Sequence, residues 1–73
     1  MSKKYDILHI RDFTEPELQY FRDTCNFSDD ELQCFNLRAK NKSIIEISLT
    51  MNCSEPQVSK LIKRIKTKIK KVL

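Results

Sequence analysis

The 73-residue chain contains no glycine and no tryptophan, two prolines and a single histidine, His9. Without glycine there is no glycine-rich loop to cradle a phosphate, which excludes the nucleotide-binding motifs built on one. One histidine and no serine–histidine–aspartate arrangement leave little for nucleophilic or acid–base catalysis, so no enzyme is expected. The three cysteines, Cys25, Cys34 and Cys53, form no C-x-x-C pair. Neither a metal site nor a disulfide framework is expected from them, and no cofactor follows. They read as small, reduced residues in or near a core. No apolar run approaches the ~20 residues of a membrane span. The opening stretch MSKKYDILHIRDF, broken by His9 and Arg11, is not a secretory signal. The expectation is a cytoplasmic protein of one small domain, able to bury only about 60% of its unfolded surface.

What is present is charge, and it is unevenly placed. The net charge of +4 divides into eight acids against four bases in residues 1–31, and ten bases against two acids in residues 32–73. The halves therefore carry −4 and +8. Such segregation suggests a basic face aimed at a polyanion, although a charge run is also what any solvated face looks like.

The pattern Ser/Thr-x-x-Glu/Gln occurs four times, as TEPE from Thr14, SDDE from Ser28, SIIE from Ser43 and SEPQ from Ser54. In each, the hydroxyl can accept from the third backbone N–H of a helix while the acid or amide reaches back to the cap. Phe13 with Leu18, Phe27 with Leu32 and Cys53 with Val58 are placed to act as hydrophobic staples. Helices are thus expected at 15–25, 29–40, 44–51 and 55–72. Pro16 and Pro56 fall at second helical positions, where a missing N–H costs nothing. Asn26, Asn41 and Asn52 each follow a helix, and asparagine is the next best residue after glycine for a left-handed helix end.

Apolar spacing supplies the core. Leu18, Phe21 and Cys25 line the first helix. Leu32, Phe35 and Ala39 line the second, with Cys34 and Leu37 broadening the stripe. Ile44, Ile47 and Met51 mark the third, and Val58, Leu61, Ile62, Ile65, Ile69 and Val72 the fourth. Tyr20 reads as half-buried at most. Residues 1–13 form an N-terminal arm whose YDILHIRDF could be a strand, a docked segment or a short helix. Residues 14–73 form the domain proper: all-α, four helices, ending in a short helix, a turn near 52–54 and a long helix. That is the layout of a helix-turn-helix, whose second helix enters the major groove of DNA. Ser48 is the small residue at the expected crossing of the pair.

Residues 27–65, FSDDELQCFNLRAKNKSIIEISLTMNCSEPQVSKLIKRI, resemble the LuxR-type and sigma-factor region-four superfamily of DNA-binding domains. Ser28, Glu31, Ser43, Glu46, Ile47, Ser54 and Val58 fall on its pattern without a gap. Asn41 and Asn52 stand where the family usually has glycine, and Ser48 where it usually has alanine; all three are physically tolerable. LuxR-type domains continue into a further helix that pairs subunits. Here RIKTKIKKVL prolongs the recognition helix, as sigma region four does, with no segment resembling those that bind core polymerase or melt promoters. The resemblance implies a free-standing helix-turn-helix transcriptional regulator.

On a wheel of about 100° per residue the last helix has an apolar face and a basic one. Because the first turns of a recognition helix meet base edges, Gln57, Ser59, Lys60, Lys63 and Arg64 are the candidate base readers. Glutamine can pair with adenine, and lysine with guanine. Lys42, Ser43, Ser54, Thr67 and Lys71 are the candidate phosphate contacts, two of them at helix N-termini. Glu55 reads as a helix-dipole residue. Double-stranded DNA is the expected partner, with a second copy or RNA polymerase beside it, and no membrane. Two rivals fit the same residues. A basic amphipathic helix also suits a membrane surface, but its apolar stripe has no tryptophan or phenylalanine and is needed for the core. A protein-interaction module, modulating RNA polymerase or another regulator with DNA binding secondary, would use the acidic first helix.

Overall fold

The computed structural model describes residues 10–73, and all their regular structure is helical. A 3-10 turn, Ile10–Asp12, precedes α1 (Glu15–Thr24), α2 (Asp29–Ala39), α3 (Ile44–Met51) and α4 (Glu55–Val72). Each helix starts where its cap places it, and α1 and α2 end one residue short of the sequence expectation, the usual fraying of a last turn. Of the arm, the 3-10 turn packs on α2 and Ile10 is part of the core; residues 1–9 lie outside the described residues.

Three capping boxes close in both directions. Thr14, Ser28 and Ser43 accept from the N–H of Glu17, Glu31 and Glu46, whose carboxylates accept in turn from the cap N–H at 2.8, 3.0 and 2.9 Å. The fourth is half of one. Ser54 accepts from the Gln57 N–H at 3.3 Å, but the Gln57 amide does not return the bond. A neutral amide oxygen is a weaker acceptor than a carboxylate, so less holds it back against the helix.

The helix ends turn on asparagine. Asn26, Asn41 and Asn52 have φ of 54°, 66° and 55°, the only positive values among the described residues. After α2, the Lys42 N–H donates to the Leu37 carbonyl and the Asn41 N–H to that of Arg38. After α3, Cys53 donates to Ser48 and Asn52 to Leu49 in the same pattern. Both are Schellman closures with asparagine in the place that glycine commonly fills.

The helix α4 packs against all three other helices. Val58, Leu61, Ile62, Ile65 and Ile69 meet Leu18, Phe21, Cys25, Cys34, Phe35, Ile47 and Ile10 in one cluster. Burying a side chain of this size is worth roughly 1.5–3 kcal/mol, so this cluster dominates stability. Phe13 meets Phe21 edge-on at 4.8 Å, and Phe27 lies on Phe35 at 4.9 Å. In both helices the aromatic before the cap therefore reaches the seventh helical residue, one turn beyond the staple position. Arg22 ties α1 to α2, donating from Nε to the Asn36 side-chain oxygen at 2.8 Å above the Phe35 ring.

One expectation needs correction. On α2 the fully buried residues are Cys34 and Phe35, joined by Glu31, while Leu32 is only half-buried. The inner face is turned toward Glu31 because that carboxylate has work inside, described below. On α3, Ile45 and Leu49, which lie off the stripe of Ile44, Ile47 and Met51, are 57% and 77% exposed. Tyr20 is 51% exposed. The cysteines are free thiols, and burial pushes the Cys34 thiol up to about 11.

Candidate nucleic-acid interface

The apolar side of α4 is consumed by the core, which leaves its cations on the outside. Lys60, Lys63, Thr67 and Lys71 follow one another at helical spacings of three and four, with Arg64 four residues after Lys60 and three before Thr67, and so share a side. They line an open groove of about 420 Å³, together with Lys68 and with Glu31 from the first turn of α2. From Lys60 to Lys71 the groove runs about 17 Å along the helix. Among the described residues no carboxylate lies within ion-pair distance of Lys60, Lys63, Arg64 or Lys71.

Three of the five candidate base readers, Lys60, Lys63 and Arg64, thus fall in the same groove as two candidate phosphate contacts, Thr67 and Lys71. Gln57 and Ser59 are exposed on the first turns of α4 but do not line it. Thr67 donates its hydroxyl proton to the Lys63 carbonyl at 3.0 Å, so in this rotamer it shapes the groove and offers an anion no proton.

The remaining phosphate candidates sit at the two helix starts. Lys42 is exposed on the α2–α3 turn, and its carbonyl accepts from the Arg38 guanidinium at 2.8 Å. Sequence reasoning did not single out Arg38, which braces this turn. Ser43 and Ser54 are both exposed caps whose hydroxyls already accept one helix N–H. Their surroundings differ. At α3 the Glu46 carboxylate bonds to the Ser43 N–H, and that bond holds its carboxyl below the ordinary range. A negative charge already occupies the place an anion would take. At α4 the neutral Gln57 leaves the Ser54 end without such a closure.

The sequence reading missed Glu31 and Lys68 as a pair. The Lys68 ammonium donates to the Glu31 carboxylate and, at 3.2 Å, to the Asn26 carbonyl; it lies 5.9 Å from the centre of the Phe27 ring. Glu31 is buried, and the bond from Lys68, then that from the Ser28 N–H, keeps its carboxyl below the ordinary range. The signal was available. Leu61, Ile65, Lys68 and Val72 form one row along α4, and a lysine in an apolar row requires a buried partner.

Among the described residues no aromatic side chain lines the groove. Binding of unpaired nucleic acid commonly adds aromatic rings on which bases stack, and the described lining of the groove is charged and polar instead. The groove offers fixed positive charge to a polyanion's backbone. Among the described residues no three His, Cys, Asp or Glu side chains come together as metal ligands, and no helix is long and apolar enough to cross a membrane. Comparison with protein-family models, with curated proteins and with solved structures found no match to this chain.

Proposed function

We propose that the chain binds double-stranded DNA sequence-specifically, as a helix-turn-helix transcriptional regulator of the LuxR-type or sigma region-four kind. In this reading α3 and α4 are the two helices of the motif, and the Asn52 closure sets the turn between them. The observation that carries it is the row of four uncompensated cations in the groove along α4. The same helix presents Gln57 and Ser59 on its first turns, ahead of the groove. A recognition helix meets bases with its N-terminal residues and phosphates further along, and this order of groups matches that use. Gln57, Ser59, Lys60 and Lys63 then read bases, with Arg64 serving bases or phosphates, and Lys42, Ser54 and Lys71 hold the backbone. The protein works in the cytoplasm, with a second copy or RNA polymerase supplying the specificity one small domain lacks.

Retention on duplex DNA across a salt series, beside a single strand of the same sequence, tests the reading. Preference for the duplex and a steep loss with salt are expected; equal retention of both strands' forms, or none, would remove it. Selection of bound duplexes from a random pool then gives the site, and a palindrome would indicate a dimer.

One observation favours the alternative, a protein-interaction module modulating RNA polymerase or another regulator. Ile45 and Leu49 stand one turn apart on the outer side of α3, too exposed to serve the core. If that is the function, Leu49→Ser abolishes activity in cells while duplex binding is unchanged.

A further inference from the structure

Resting on the groove as the DNA surface, we infer that Glu31 limits its affinity for polyanions by holding Lys68 out of reach. Lys68 lines the groove between Arg64 and Lys71, one helical turn from each, and would meet the same stretch of phosphates. Its charge is already committed. An ammonium has three protons to donate; one goes to the Glu31 carboxylate and one to the Asn26 carbonyl, with the Phe27 ring beside them.

The pair is anchored from the glutamate's side. The Glu31 side chain is 6% exposed, against 33% for that of Lys68. The same Glu31 oxygen accepts from the Ser28 N–H at 3.0 Å, and the first turn of α2 favours a carboxylate. Glu31 therefore cannot follow Lys68 outward, and an entering phosphate must compete with a carboxylate that stays behind. Four of the groove's five cations can release counterions on binding DNA, and the fifth cannot. For a small basic domain this is useful, because each extra phosphate contact tightens binding to every sequence alike and adds nothing to discrimination.

Glu31→Gln tests this, because glutamine also serves in a capping box and keeps an acceptor for Ser28 while removing the charge that holds Lys68. Binding to a mixed-sequence duplex is followed by fluorescence anisotropy across a salt series, with Lys71→Gln as the reference for one lost phosphate contact. Expected for Glu31→Gln is a slope of log K against log salt steeper by about 0.9, which is about eightfold tighter binding at 0.1 M relative to a 1 M reference. The double variant Glu31→Gln/Lys68→Gln should return to the parental slope. A folded Glu31→Gln with parental slope and affinity would overturn the inference, as would a gain that survives in the double variant. Should Glu31→Gln not fold, Lys68→Gln alone decides: a parental slope is expected, and one as shallow as that of Lys71→Gln overturns the inference. If the parental chain shows no salt-dependent binding and Lys71→Gln changes nothing, the DNA reading of the groove falls and takes this inference with it.

Discussion

The Cys53 N–H donates to the Ser48 carbonyl at 3.0 Å, closing the end of α3 over the left-handed Asn52. This bond fixes how α4 leaves α3. For most residues the left-handed conformation costs roughly 1–2 kcal/mol, which asparagine partly escapes and glycine escapes altogether. Asn52→Ala should therefore lower the unfolding free energy by about 1 kcal/mol. Asn52→Gly should lose nothing. Urea unfolding of both variants checks this, and equal losses from the two would show that the side chain, not the backbone angle, matters here.

Ser48 itself is buried, and its hydroxyl is satisfied by the Ile45 carbonyl at 2.7 Å. Ser48→Leu adds three carbons at a packed position and should cost about 1–3 kcal/mol. Ser48→Ala removes a hydroxyl that bonds to a carbonyl of its own helix, so it should be neutral or slightly stabilising. Thermal melts of the two variants should diverge; melts that coincide with the parent would place the helix crossing elsewhere.

The starts and ends of helices were legible because they depend on short stretches of chain. A hydroxyl three residues before a carboxylate, or an asparagine after the last turn, acts on the backbone beside it. The closures at Asn26, Asn41 and Asn52 and the boxes at Thr14, Ser28 and Ser43 needed no tertiary information. What stayed hidden depends on the far side of the fold. Glu31 reads as a cap residue, and only the approach of α4, 37 positions later, gives its carboxylate a second partner in Lys68. Leu32 yields its inner place for the same reason. Ile45 and Leu49 lie off the Ile44, Ile47 and Met51 stripe, but only the structure shows how far they stand exposed. The groove was half legible: Lys60, Lys63, Arg64, Thr67 and Lys71 were named separately, and their meeting in one groove came from the packing of α2 on α4.

Acid should find the Glu31–Lys68 pair. The Glu31 carboxyl is held below its ordinary range by Lys68 and by the Ser28 N–H, so near that range the unfolded chain binds the proton and the folded one does not. Its contribution to stability is complete above the ordinary glutamate pKa of about 4.3, and is lost as pH falls through the lower folded value. Glu31→Gln should be less stable than the parent at neutral pH, with the difference shrinking on acidification below that range. The exposed Glu46 is shifted the same way by Ser43 and makes a useful comparison. Chemical denaturation at several pH values measures this, and a gap for Glu31→Gln that stays constant down to pH 3 would count against the pair.

The DNA reading divides its residues into two classes that should fail differently. Seven of the twelve residues from Lys60 to Lys71 are basic, but they point in several directions around α4 and cannot all touch one duplex. With some four to six groups on phosphates, log K should fall against log salt with a slope of about −4 to −5. Lys42 is exposed on the α2–α3 turn, away from the groove, so Lys42→Ala should weaken all sequences alike and make the slope slightly shallower. Gln57 carries no charge and stands on the first turn of α4, where base edges are met. Gln57→Ala should cost about 1–3 kcal/mol on the selected site, little on random DNA, and leave the slope alone. Lys60→Ala should likewise lose more on the selected site than on random DNA, and because it also removes a groove cation it should weaken random DNA somewhat and make the slope slightly shallower. Equal losses on specific and random DNA for both variants would make the groove an electrostatic patch without sequence preference, and α4 would then lose its assignment as a recognition helix.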